Sequence, residues 1–168
     1  MSELSLGQIK GLTVNSNVVT VPSGHTLYAP GHVIQVVQSS TVTPVTNTSS
    51  TYADTTLSAT ITPKSTTSKI LVTVSHQYQT ATSPIGNDTW FSIRIVRGST
   101  VIIEPATTYE TGRGAGELRG RFNTTYLDSP NTTSPINYKT QSAIYNASRV
   151  TLQDSGNYST ITLMEIAA

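Results

Sequence analysis

The chain has 168 residues, 11% of them charged, with a formal net charge of +1 and no cysteine. The length fits one ordinary domain with a short appended segment. The charge balance gives no general attraction to nucleic acid or membrane surfaces, and the missing thiols exclude disulfides and thiolate metal sites.

Threonine contributes 30 residues and serine 21, far above ordinary usage. Threonine is β-branched, so it favours extended backbone while keeping a polar outer face. Hydrophobic residues make up 36%, enough for a core but a thin one. Hydroxyls and amides must then cover the surface, and such surfaces suit contact with copies of themselves. The opening Met1–Ser5 has neither the basic nor the apolar region of a signal peptide, and no apolar run approaches the ~20 residues of a membrane helix. The expectation is a soluble β protein made in the cytosol, with stability gained by burial between subunits.

Residues 1–30 read as an extended arm. Leu12, Val14, Val18, Val19 and Val21 form two short strand-like pieces around an Asn15-Ser16-Asn17 turn. The main domain begins at Gly31, with a first long strand over His32–Gln38 and a Thr/Ser-rich connection to about Asp54. Leu57, Ala59 and Ile61 alternate with polar residues, as a half-buried strand requires. Ile70, Val72, Val74, His76 and Tyr78 share one face of the next strand. Trp90–Val96 is another, and Arg97-Gly98-Ser99 turns into Val101–Ile103. A Gly-rich loop over 111–120 precedes strands at Arg121–Leu127, Ile136–Tyr145, Val150–Gln153 and Thr160–Ile166. Eight or nine strands with regular turn signals predict an antiparallel β-sandwich, a jelly roll.

Catalytic patterns are absent. The nine carboxylates are scattered, there is no Gly-x-Ser-x-Gly elbow, and His25, His32 and His76 form no ligand pair. The expectation is no enzyme, no metal and no cofactor. His76 lies on an apolar strand face and reads as a core or subunit-interface histidine; a ring of three about a threefold axis is conceivable. The Gly112–Arg121 stretch matches no phosphate-loop spacing, so it reads as a surface loop, with docking to an acidic protein surface through Arg113, Arg119 and Arg121 as the sharper alternative. Trp90, Tyr109 and Tyr126 are the candidate receptor-contact aromatics, weighed against capping of the core edge.

Three pieces carry a resemblance: the arm from Gly11 to His25, the run Pro30–Val37 followed by Ile61–Val72, and the last strand Ile161–Ile166. Together they look like the virion fibre and capsid decoration proteins of tailed bacteriophages, over most of the chain and in order and style more than in any invariant signature. The resemblance implies a trimeric jelly-roll head of the C1q and tumour necrosis factor type, with an N-terminal arm fixing it to the particle. The arm lacks the shaft repeats of long fibres, which favours decoration.

The resulting expectation has two parts, an attachment arm over 1–30 and a trimerisation knob over 31–168. The function is a homotrimeric capsid decoration protein on the virion surface, synthesised in the host cytoplasm. Its partner is the major capsid protein or another virion structural protein, with no nucleic acid and no membrane insertion. The alternative is a tail fibre or receptor-binding tip that recognises host surface glycans.

Overall fold

The computed structural model of the protein describes residues 29–81, 89–104, 108–110, 117–145 and 147–168. They form eleven strands: β1 Val33–Thr41, β2 Val45–Asn47, β3 Ala53–Ile61, β4 Lys69–Ala81, β5 Thr89–Arg97, β6 Thr100–Ile103, β7 Thr108–Glu110, β8 Glu117–Asp128, β9 Ile136–Ile144, β10 Arg149–Leu152 and β11 Ser159–Ile166.

All pairings are antiparallel, in two sheets. In sheet A, β4 is flanked on one side by β8 along its whole length and on the other by β11 and then β10. The next row out holds β1, against β11, and β2, against β10. In sheet B the order is β3, β9, β5, then β6 and β7 in one row. The eleven segments thus fill eight rows, four per sheet. Sheet A reads β1-β11-β4-β8 and sheet B reads β3-β9-β5-β6, a jelly-roll order in which the chain crosses repeatedly between sheets.

The alternation in sequence explains the layering. Along β4, Ile70, Val72 and Val74 are fully buried and point into the sandwich, while Leu71, Thr73 and Ser75 face outward and keep partial access to water. The core has two apolar clusters. One gathers Leu57, Ile61, Ile70, Val72, Val74, Ile95, Tyr138, Ile161 and Leu163. The other gathers Tyr78, Phe91, Ile93, Ile144, Val150 and Leu152. Between them lies a polar belt of His76, Thr140, Gln153 and Ser159, all fully buried.

Several boundaries differ from the sequence expectation. β2 and β7 have three residues each, too few to display a period, so both went unpredicted. The stretch 117–120, read as loop, is the start of β8, because Tyr78–Ala81 of β4 supplies it with ladder partners. Gly120 fits there for a steric reason: a Cβ at that position would lie 2.5 Å from the Tyr78 hydroxyl oxygen. Gly98 takes φ +57° at the first position of the two-residue turn joining β5 to β6, a conformation that favours glycine.

Candidate functional site

The polar belt carries the most chemistry-bearing side chains inside the fold. β10 and β11 form one row that is interrupted at residues 153–158, opposite His76 and Gln77 of β4. Gln153 adopts a left-handed φ of 56° there, and a 3-10 turn over Asp154–Gly156 carries the chain round. Across the interruption the Gln77 carbonyl still accepts from the Gln153 backbone N–H at 3.3 Å, while side chains make the remaining links. The Gln77 amide donates to Ser159 Oγ at 2.9 Å, and the Asp154 amide donates to Gln77 Oε1 at 2.7 Å.

His76 Nδ1 faces the Gln153 amide nitrogen at 2.9 Å and Ser159 Oγ at 3.0 Å, while Nε2 lies 3.1 Å from Thr140 Oγ1. An amide nitrogen can only donate, so Nδ1 is the acceptor and the ring proton sits on Nε2. Burial pushes the imidazole down to about 4, and Arg121 adds repulsion in the same direction. The Ser159–His76 contact resembles a nucleophile with its base, but both side chains are fully buried, where no substrate atom can reach them. A His76 ring about a threefold axis is also overturned, because the imidazole lies between the two sheets. The belt is structural.

Two further polar nodes lock the sandwich. Arg97 grips Asp128 with one nitrogen 2.8 Å from each carboxylate oxygen, and the Tyr138 hydroxyl donates to the same carboxylate at 2.7 Å. Burial raises the Tyr138 hydroxyl, and Asp128 adds to the shift. Glu165 is fully buried; burial alone would raise its carboxyl, but hydrogen bonds from Gln35 and the Lys64 amide outweigh it and hold it below its usual value. Among the described residues, no three His, Asp or Glu side chains converge as metal ligands would.

The candidate contact surfaces lie on the outer faces of the sandwich. On the outer face of sheet A, Val36, Met164, Leu71 and Leu127 are consecutive cross-strand neighbours through four strands. Val36 is 56% and Leu127 47% exposed. The next row in register is Gln38, Thr162, Thr73 and Thr125, and the one after is Ser40, Thr160, Ser75 and Asn123. Twelve adjoining positions therefore carry no charge.

On the outer face of sheet B sits a second group. Phe91 and Ile144 are paired and point inward, so their neighbours Trp90 and Tyr145 point outward, side by side, with the Tyr145 amide donating to the Trp90 carbonyl at 3.0 Å. The Tyr52 hydroxyl lies 3.3 Å from that of Tyr145 and 2.9 Å from both Ser92 Oγ and Glu104 Oε1. Arg94 lies over the Tyr52 ring at 3.8 Å from its centroid.

The sequence-derived site residues are dispersed. Leu12, Val14, Val18, Val19, Val21 and Arg113 lie outside the described residues. So does the side chain of Tyr109, although its backbone pairs with Trp90. Arg119 and Arg121 stand on strand β8 and not in a loop. Arg119 reaches Glu117 and Asp154, and Arg121 donates to Ser75 Oγ and the Tyr158 carbonyl. Tyr126 pairs with inward-facing Val72 and is half-buried on the inner side of β8, so it shares no surface with Trp90. Sequence reasoning missed Tyr52, Arg94 and Glu104. They come from a Thr/Ser-rich connection, a strand interior and a strand end, and no spacing links them.

Comparison with known proteins finds no matching family model and no matching curated protein. Among solved structures, the chain is similar to the T13 viral particle of infectious bursal disease virus, with 11% identity and a TM-score of 0.44 over 90% of this chain and 40% of that one. A subviral particle of the same virus matches at 10% identity and TM-score 0.41, over 90% and 42%. A dimeric latent PorU from Porphyromonas gingivalis matches at 11% identity and TM-score 0.35, over 83% and 14%. The chain thus spans about 40% of the viral chains it matches, and likenesses of this size leave its role to be argued from its own surfaces.

Proposed function

We propose that the chain is a virion structural protein, a homotrimeric decoration protein of a tailed-phage capsid. Residues 1–30 hold it to the major capsid protein or another virion component through Leu12, Val14, Val18, Val19 and Val21. The observation that carries this reading is the uncharged patch of twelve adjoining positions on the outer face of sheet A, which ends at Lys69 on one side and at Arg121, Arg119 and Glu117 on the other. Burying such a patch strips no ions of water, so it avoids the desolvation penalty that charged side chains would add. Its apolar row gains roughly 25 cal/mol for each Å² removed from water, and cyclic closure of three copies leaves no open face for further growth. The Thr-rich composition and the arm, with their resemblance to phage decoration proteins, supply the particle.

Light scattering tests the assembly. The wild type is expected at three times 17.9 kDa, and Leu71→Glu with Leu127→Glu is expected to give a folded monomer. A wild-type monomer at micromolar concentration overturns the trimer. Immunogold labelling of intact particles tests location: label over the head supports decoration, and label confined to the tail rejects it in favour of a fibre. The fibre-tip reading is favoured by one observation, the exposed Trp90–Tyr145 pair on the opposite sheet.

A further inference from the structure

We propose that the outer face of sheet B holds a binding site for a neutral saccharide, with Tyr145 and Trp90 as stacking rings and Glu104, Arg94 and the Tyr52 hydroxyl as its polar edge. The site gives the fibre-tip reading a ligand, yet it stands on its own geometry whether the protein sits on head or tail.

A pyranose ring has an apolar C–H face and a rim of hydroxyls that both donate and accept. A matching surface needs exposed aromatic area beside fixed planar polar groups. Tyr145 is 53% and Trp90 40% exposed, a pair of large aromatic side chains on the face opposite the proposed trimer contact. Trp90 on β5 and Tyr145, the residue after β9, are joined through their backbones and project from the same face of sheet B.

The polar edge is already held in place. Arg94 Nε donates to Gln141 Oε1 at 2.8 Å, and its guanidinium lies over the Tyr52 ring. Tyr52 in turn fixes one Glu104 oxygen, while Arg94 lies 3.7 Å from the other. Gln141 and Lys139 donate to Asp54 at 2.6 and 2.7 Å. Groups locked by each other lose little freedom on binding. The Glu104 side chain keeps 47% exposure, which leaves it able to accept from a ligand hydroxyl.

Charge selects the class of sugar. Among the described side chains of the patch, Glu104 and Asp54 are balanced by Arg94 and Lys139, which leaves no surplus charge there to attract an acidic glycan. An incoming carboxylate would be repelled by the exposed Glu104, while Arg94 is already engaged by Gln141 and the Tyr52 ring. A neutral hexose meets neither penalty. On an open face, a single sugar is expected to bind with a Kd on the order of 1 mM.

Saturation-transfer NMR on the full chain tests this, with maltose, lactose and diacetylchitobiose as neutral probes and sialyllactose as the acidic one. At least one neutral probe is expected to receive saturation at its ring protons. Tyr145→Ala is expected to weaken it about tenfold, Glu104→Gln severalfold, and Leu127→Ala, on the other sheet, not at all. Tyr145→Phe keeps the ring and is expected to retain binding, which separates stacking from a folding defect. The proposal is overturned if no neutral probe is saturated, if only the acidic probe is, or if binding survives Tyr145→Ala with Trp90→Ala. It is also overturned if Tyr145→Ala changes the oligomeric mass, because the patch would then be an interface between copies. None of these outcomes touches particle location, which the labelling experiment decides separately.

Discussion

His76 and Thr140 meet across the two sheets, Nε2 to Oγ1 at 3.1 Å, at the point where the apolar core is divided in two. The contact joins β4 to β9 through groups that would each be costly if left alone in the interior. It also makes the fold sensitive to acid. In the folded protein the imidazole is lowered from 6.5 to about 4, chiefly by burial. Above the unfolded value both states are neutral, and between the two values only the unfolded chain takes up the proton. Stability is therefore full above about pH 6.5 and declines as the pH falls toward 4. The loss between pH 7 and pH 5 is expected to be about 2 kcal/mol. Urea unfolding at both pH values, on wild type and His76→Gln, measures it; an equal loss in the variant rejects His76 as the source.

Gly120→Ala is expected to destabilise the fold by about 1–3 kcal/mol through overpacking. The new methyl would meet the Tyr78 ring, whose Cζ lies 2.7 Å from the Cβ position, and that ring is held in the second apolar cluster. A cycle with Tyr78→Leu is expected to give a coupling of about 1 kcal/mol. Strictly additive thermal shifts would mean that the two residues do not collide.

Asp128→Asn removes the charge that Arg97 grips and weakens the acceptor of the Tyr138 hydroxyl. The Asp128 side chain is only 7% exposed, so the expected loss is about 2–3 kcal/mol. Tyr138→Phe, which deletes one donor and leaves the ion pair, is expected to cost about 1 kcal/mol. Denaturant midpoints settle the order; a milder effect for Asp128→Asn than for Tyr138→Phe would contradict it.

Glu165→Gln is expected to cost about 1–2 kcal/mol at pH 7. The carboxylate accepts from the Lys64 amide at 2.7 Å and from Gln35, and Gln can supply only one of its two oxygens. Because the folded carboxyl lies below its ordinary 4.5, its contribution is present above that value and is lost as the pH falls through the folded one. The gap between wild type and variant should therefore close on acidification. A gap that persists at pH 2 would assign the effect to shape and not to charge.

Strand alternation was plain in the chain itself. Ile70, Val72, Val74, His76 and Tyr78 lie on one face because side chains alternate along any strand, and this local rule also predicted the sandwich. The thin core, the hydroxyl-rich surface and the buried setting of His76 follow from composition and from the same alternation. What the tertiary structure decided is which residues meet. Gln153 and Ser159 reach His76 because a short excursion interrupts the row beside β4. Trp90 and Tyr126 part company because β5 and β8 belong to different sheets. Tyr52 just before β3, Arg94 within β5 and Glu104 just after β6 converge only through cross-strand register. Pairing between distant strands depends on loop paths and on burial summed over the whole sandwich, and no local pattern along the chain encodes it.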